Sequence, residues 1–310
     1  MADGLSVSDL NRLASERRNP RTMDIDLLPI SELVARINDE DKLVASAVEQ
    51  ELPQIARAVE RIVAAFQTGG RLIYIGAGTS GRIGVLDASE CPPTFSVPPS
   101  KVVGIVAGGD AALRKSIEGA EDDCEQGKKD LRGIDVSGRD VVVGIAASGR
   151  TPYTIGALDY ARETRASTVA VTCVPDSRLS RLADVSIVPV VGPEVLTGST
   201  RMKSATAQKL VLNTLSTAAM IRIGKTYENL MVDVSVSNHK LTARAVEIIH
   251  EVTGAERSEA KVLLAESGND VKLAILMKLT GLGKEQSRAC LDASGGFLRT
   301  AIRAAIKKSA

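Results

Sequence analysis

Five short apolar runs recur through the first two thirds of the chain: Leu72–Ile75, Val102–Val106, Val141–Ile145, Thr168–Cys173 and Val185–Val190. They are rich in β-branched residues and do not alternate with polar ones. Strands of this kind are buried on both faces, as in a parallel sheet covered by helices. Between them lie segments with helical spacing, such as Arg82–Ser89, Ala111–Lys129 and Thr154–Thr164. The alternation predicts an α/β fold with a doubly wound, five-stranded parallel sheet. Ahead of it, Asp39–Phe66 reads as helical, with Pro53 dividing it and Gly69-Gly70 ending it. A helix over Ser204–Ile223 follows the last strand. Beyond Lys240 no strand-like run occurs, and glycines separate short helical stretches. The expected division is an N-terminal polar, loop-like segment (1–40), the sheet domain (41–240) and a small all-helical domain (241–310).

Two of the strands end alike. Gly76-Ala77-Gly78-Thr79-Ser80-Gly81-Arg82 follows the first, and Ala146-Ala147-Ser148-Gly149-Arg150-Thr151-Pro152 follows the third. Small residues let backbone N–H groups approach an anion, hydroxyls add donors, and a following helix presents its positive end. Thr79, Ser80, Ser148, Gly149 and Thr151 therefore form a candidate phosphate cradle. Helix capping is the commoner use of such residues, but a third loop, Thr197-Gly198-Ser199-Thr200-Arg201, strengthens the anion reading. The loops lack the Gly-Lys-Ser/Thr of a P-loop, and the first lacks full G-x-G-x-x-G spacing. Arg82, Arg150, Arg201 and Lys203 are candidate sources of positive charge, although such residues more often lie solvated at the surface. Glu90, Glu121 and Glu194 are carboxylates near these segments, and spacing does not choose among them.

Composition narrows the partners. A net charge of +1 gives no polyanion signal, and aromatics at 2% with no Trp leave no stacking platform, so nucleic acid is not expected. No apolar run approaches the roughly 20 residues of a membrane helix, and no leader pattern is seen at Met1. Four scattered cysteines point to reduced thiols in the cytoplasm. Two histidines, His239 and His250, argue against a His-rich metal site.

The segment from Gly192-Pro193-Glu194 through Thr197-Gly198-Ser199-Thr200-Arg201-Met202-Lys203-Ser204 to Gln208-Lys209 is long and specific. It resembles the signature shared by the N-acetylmuramic acid 6-phosphate etherases and the glucokinase regulatory protein, both of the sugar isomerase (SIS) superfamily. Glu16-Arg17-Arg18-Asn19-Pro20 to Asp26, the Gly76–Arg82 loop, Asp87–Phe95, Asn238–Lys240 and Ala265–Ile275 are similar to the etherases as well. The last of these resembles the ubiquitin-associated-like helical tail of that family.

The resemblance implies cleavage of the D-lactyl ether of N-acetylmuramic acid 6-phosphate, with no cofactor or metal, in a cytoplasmic homodimer. By matching motif, the two acid/base glutamates fall on Glu90 and Glu121. The open-chain aldehyde acidifies the C2 proton, so one carboxyl as base and one as acid suffice for elimination and rehydration. Phosphate contacts fall on Thr79, Ser80 and Ser148–Thr151, with Glu194 and Ser199 as further substrate contacts. Lys240 is expected to reach the lactyl carboxylate in a neighbouring subunit. Two alternatives keep the cradle: an aldose–ketose isomerase with Glu194 as base, and a non-catalytic sugar phosphate sensor.

Overall fold

Continuous apolar runs with no polar face must be covered on both sides, and the computed structural model, which describes residues 17–234, 236 and 239–309, shows how this is done. The strands are β1 (Leu72–Gly76), β2 (Val102–Val106), β3 (Val141–Ile145), β4 (Ser167–Val171) and β5 (Val185–Ile187). All pairs are parallel, in the order β2-β1-β3-β4-β5. Every residue of β1 and β3 is buried. The helices of this part are α1 (Ile30–Asp41), α2 (Leu43–Glu49), α3 (Leu52–Gln67), α4 (Gly78–Phe95), α5 (Cys124–Gly133), α6 (Pro152–Glu163), the short α7 (Arg178–Leu182) and α8 (Lys203–Arg222).

The two faces of the sheet are read from β1. Ile73 and Ile75 join Val142, Leu131 of α5 and Leu158 of α6 in one core cluster. Tyr74 points the other way, and its hydroxyl donates to Asp87 of α4 at 2.8 Å and to the Leu212 carbonyl of α8 at 3.4 Å. The sheet is thus doubly wound, as the sequence predicts. Each fully buried aliphatic side chain contributes about 1.5–3 kcal/mol of transfer free energy.

Several elements differ from expectation. Residues 30–40, expected in a polar, loop-like segment, form most of α1. The only buried residue of this helix is Glu40, so its apolar positions do not mark a core-facing stripe. The expected helix over Ala111–Lys129 is instead two 3-10 turns, Asp110–Leu113 and Ala120–Asp122, followed by α5. Gly119 between the turns has φ +74°, which breaks any helix. Asp123 then caps α5 by accepting from the Gln126 N–H at 2.9 Å.

The chain forms two compact units. One comprises residues up to Ser89 together with Ser100–Ser216, and the other comprises Glu90–Pro99 with Thr217 onward. The division falls near residue 217, and it assigns Glu90–Phe95, the last third of α4, to the second unit. That unit carries α9 (His239–Thr253), α10 (Arg257–Glu266), α11 (Val271–Thr280), α12 (Lys284–Ala293) and α13 (Leu298–Ser309). Its core gathers Ile248, Ile249, Leu264, Ile275, Leu291 and Leu298. Asp270 caps α11 through the Leu273 N–H at 2.9 Å, and Gly281 ends it at φ +70°. Within this unit Lys272 donates to Asp233 at 2.7 Å and to the Gly296 carbonyl at 3.1 Å.

Candidate active site

In a sheet of order 2-1-3-4-5, the first strand sends its crossover to one side and the third continues on the other, so a crevice opens at their carboxyl ends. The two Ser/Thr/Gly loops follow β1 and β3, the strands that flank this switch point. The turn after β1 is tight. A Cβ on Gly81 would lie 2.4 Å from the Gly76 carbonyl oxygen, and Gly78 adopts φ +54° with open space around it. Only glycines allow α4 to start so close to the end of the strand. Its free N–H groups and dipole then face the crevice mouth.

A cleft of about 120 Å³ lies between this turn and the chain that follows β2, lined by Ala77, Gly78, Arg82, Ser116, Glu118, Glu121 and their neighbours, with no residue of the loop after β3 in its lining. Arg82 shapes its wall. Its Nε donates to the Ala112 carbonyl at 2.8 Å and its Nη2 to that of Lys115 at 3.2 Å. The guanidinium therefore braces the 112–115 loop as well as lending charge. Glu121 is exposed in the Ala120–Asp122 turn. Its position follows from close packing of α5 on α6. A Cβ on Gly156 would lie 2.1 Å from the Cys124 carbonyl oxygen, and one on Gly127 would lie 2.1 Å from that of Tyr153.

The second loop is equally constrained. Gly149 has φ +64°, and a Cβ there would lie 2.1 Å from Ser177 Oγ. Ser148 Oγ accepts from the Arg150 N–H at 3.3 Å. Thr151 is the N-cap residue of α6, yet its side chain makes no capping bond. Capping thus does not account for that hydroxyl.

Ser80, in the first turn of α4, is buried. Its hydroxyl donates to Gln208 Oε1 of α8 at 2.9 Å. Gln208 is 1% exposed, and among the described residues its Nε2 has no partner. In the sequence Gln208 is one polar residue among several, with Thr206 and Lys209 beside it exposed, so no local signal marks its amide as buried.

Glu194 stands elsewhere. It is fully buried, and its oxygens accept from the N–H groups of Lys203 and Ser204, both at 3.0 Å, and from Ser204 Oγ at 2.9 Å. It closes the N-terminus of α8 and is not among the residues lining the cleft. Lys203, also fully buried, donates to Glu40 at 2.7 Å and to the Val191 carbonyl at 2.9 Å. It is therefore not a phosphate ligand on a surface loop. Arg21 completes the network with an Nε–Glu40 contact of 2.7 Å. Burial opposes the charge on Glu40, but Lys203, Asn19 and Arg21 outweigh it and hold the carboxyl below its ordinary range. Ser199 lies half-buried in the turn between these groups, and Arg201 is exposed.

Glu90 lies ten residues beyond Ser80 on α4, exposed, and belongs to the second unit. Lys240 is exposed in the first turn of α9. The cleft therefore joins the first loop to Glu121, and neither Glu90 nor Lys240 is among its lining residues. Glu16 and Asn238, named in the sequence motifs, lie outside the described residues. Among the described residues no cluster of His, Cys, Asp and Glu has the form of a metal site, and no helix is long and apolar enough to cross a membrane.

Comparison with known proteins agrees with this architecture. Residues 54–162 match the glucokinase regulatory protein N-terminal SIS domain, 132–218 the SIS domain, and 228–273 the C-terminal lid domain of glucokinase regulatory protein. The chain is 62% identical over 304 residues to an N-acetylmuramic acid 6-phosphate etherase of Brucella anthropi, covering 98% of this chain and 99% of that one. It is 60% identical over 304 residues to the etherase of Rhizobium rhizogenes, covering 98% and 99%. It is likewise 60% identical over 302 residues to etherase 2 of Vibrio cholerae, covering 97% and 98%. With a five-stranded parallel sheet that matches the SIS domain and likeness along nearly its whole length, the chain belongs to the N-acetylmuramic acid 6-phosphate etherase family of enzymes.

Proposed function

We propose that the protein cleaves the D-lactyl ether of N-acetylmuramic acid 6-phosphate, releasing D-lactate and N-acetylglucosamine 6-phosphate, in the catabolism of cell-wall amino sugars. The observation that carries the reading is one cleft shared by the glycine loop after β1 and the Glu121 carboxylate. Such a cleft can hold a sugar phosphate and a proton acceptor together. The family relation supports ether cleavage over isomerisation, and the hydrogen bonds Glu194 accepts from the start of α8 speak against its use as an isomerase base.

In this reading Thr79, Ser80 and Ser148–Thr151 bind the 6-phosphate. Glu121 removes the C2 proton of the open-chain aldehyde, and the electron pair forms the C2–C3 double bond as the C3–O bond breaks. Glu90 protonates the departing lactate oxygen. Water then adds at C3 and a proton returns to C2, giving the product sugar. Ser199 contacts substrate, and Lys240, contributed by the second subunit of a homodimer, pairs with the lactyl carboxylate. Wild-type kinetics in Lys240→Ala would remove that last assignment. Four cysteines free of disulfides are compatible with a cytoplasmic enzyme. Cell fractionation checks this location, and recovery of the protein with the extracytoplasmic fraction would reject it.

The test is incubation of the purified protein with N-acetylmuramic acid 6-phosphate and assay of D-lactate. No D-lactate rejects the activity. In D2O, Glu121→Gln is expected to abolish exchange at C2, whereas Glu90→Gln retains exchange while releasing lactate at least 100-fold more slowly. The opposite pattern reverses the two roles.

A further inference from the structure

A serine hydroxyl carries one proton, and a phosphate dianion offers only acceptors. In the structure Ser80 spends that proton on Gln208 Oε1 at 2.9 Å, while the buried Nε2 of the same amide has no partner among the described residues. In this arrangement Ser80 cannot donate to a phosphate. Rotation of the amide by 180° exchanges the two atoms. Nε2 then donates to Ser80 Oγ, and the hydroxyl proton is released for another acceptor. The known bond count is one in either orientation, so an anion in the crevice is enough to favour the second. The donated N–H also polarises the hydroxyl, which strengthens its own hydrogen bond.

The geometry points to Gln208 as a positioning residue for the phosphate site. Its amide inverts when a phosphate arrives and turns Ser80 from a donor to protein into a donor to the ligand. The inference rests on the reading that Ser80 belongs to the phosphate cradle. It adds a residue on α8 that acts on the ligand only through Ser80.

The experiment is a double-mutant cycle with Ser80→Ala, Gln208→Met and the double variant, measuring KM, kcat, Tm and the inhibition constant of inorganic phosphate. Gln208→Met removes the amide at similar volume. It is expected to raise KM and the phosphate inhibition constant about tenfold, with kcat within about twofold. In the Ser80→Ala background the same change is expected to move neither constant, because its target is already gone. Gln208→Leu likewise removes the amide without adding a titratable group, and is expected to move KM and the phosphate inhibition constant as Gln208→Met does. This variant keeps the test open should Gln208→Met fold poorly. Equal effects of Gln208→Met with and without Ser80 would overturn the inference and leave the cradle intact. An unchanged KM in Ser80→Ala would remove the cradle reading, and the inference with it. A fall in Tm without a KM effect assigns Gln208 to packing alone and also overturns the inference.

Discussion

The glutamates proposed to carry the chemistry are exposed, whereas Asp87, three residues before Glu90 on α4, is buried and structural. Asp87 sits on the sheet-facing side of α4, accepting from Tyr74 Oη at 2.8 Å and Ser216 Oγ at 3.2 Å. Burial pushes its carboxyl above the ordinary range, although those two hydroxyls and the Lys209 charge oppose the shift. A carboxyl whose folded pKa exceeds its unfolded one stabilises the fold in acid, and that stabilisation is lost as pH rises through the folded value. At neutral pH Asp87 therefore carries a desolvation cost. Asp87→Asn, which keeps an acceptor for Tyr74, is expected to raise Tm at pH 7. The gap to wild type should close as pH falls towards about 4, the ordinary carboxylate range. Melting curves between pH 4 and 8 check this, and a variant less stable than wild type at pH 7 rejects it. The contrast explains why Glu90 and Glu121 were not legible from spacing. An exposed glutamate in Glu121-Asp122-Asp123 looks like any solvated face, and only motif resemblance singled it out. Glu194 presents the opposite case. It lies in a recognisable motif, but what the motif encodes there is the cap of α8.

At the scale of elements, legibility followed burial. The strands were readable because both faces are covered, so their composition has one cause. Helix α1 was not, because its apolar residues Ile30 and Val34 face outward and its one buried side chain is a glutamate. The α5–α6 pair was partly legible: the cap at Asp123 is a local signal, but the close approach of the helices depends on Gly127 and Gly156, whose roles appear only in three dimensions. Gly156→Ala puts a Cβ 2.1 Å from the Cys124 carbonyl oxygen and 2.7 Å from its Sγ. Backbone cannot yield there as a flexible side chain would, so the start of α5 must move, and Glu121 lies three residues before it. Overpacking of this kind costs about 1–3 kcal/mol, and kcat is expected to fall at least tenfold as Glu121 is displaced. Gly133→Ala, at the end of the partner helix α5, is the control within the same helix pair, since its Cβ meets nothing within 4 Å. It is expected to keep activity and to gain up to about 1 kcal/mol from helix propensity. Equal kcat in the two variants would show that the packing of α5 does not set the position of Glu121.

At the scale of the molecule, the proposed homodimer is the property that reaches beyond a single chain. Leu27 and Ile30 are each 80% exposed and Val34 is 59% exposed. Ile30 and Val34, four residues apart, share one face of α1. A frayed segment could expose such residues without consequence, but this one is anchored. Glu40 near the end of α1 is locked between Arg21 and the buried Lys203, and Thr22 Oγ1 donates to the Val195 carbonyl at 2.9 Å. These contacts tie residues 21–40 to residues 191–203. A rigid helix holding large apolar side chains in water favours burial against a partner, and a self-complementary contact between two copies is the simplest closed arrangement. A dimer interface of ordinary size buries about 1,600 Å², so this face would be one part of it. Sedimentation is expected to give about twice the 32.6 kDa of the chain. Leu27→Glu with Ile30→Glu, which places two charges on the face without touching the buried network, is expected to raise the dimer dissociation constant at least 100-fold. A wild-type monomer would dismiss the homodimer. A dimer unaffected by both charges would place its interface on another surface, where the exposed face of α1 no longer has a structural reason.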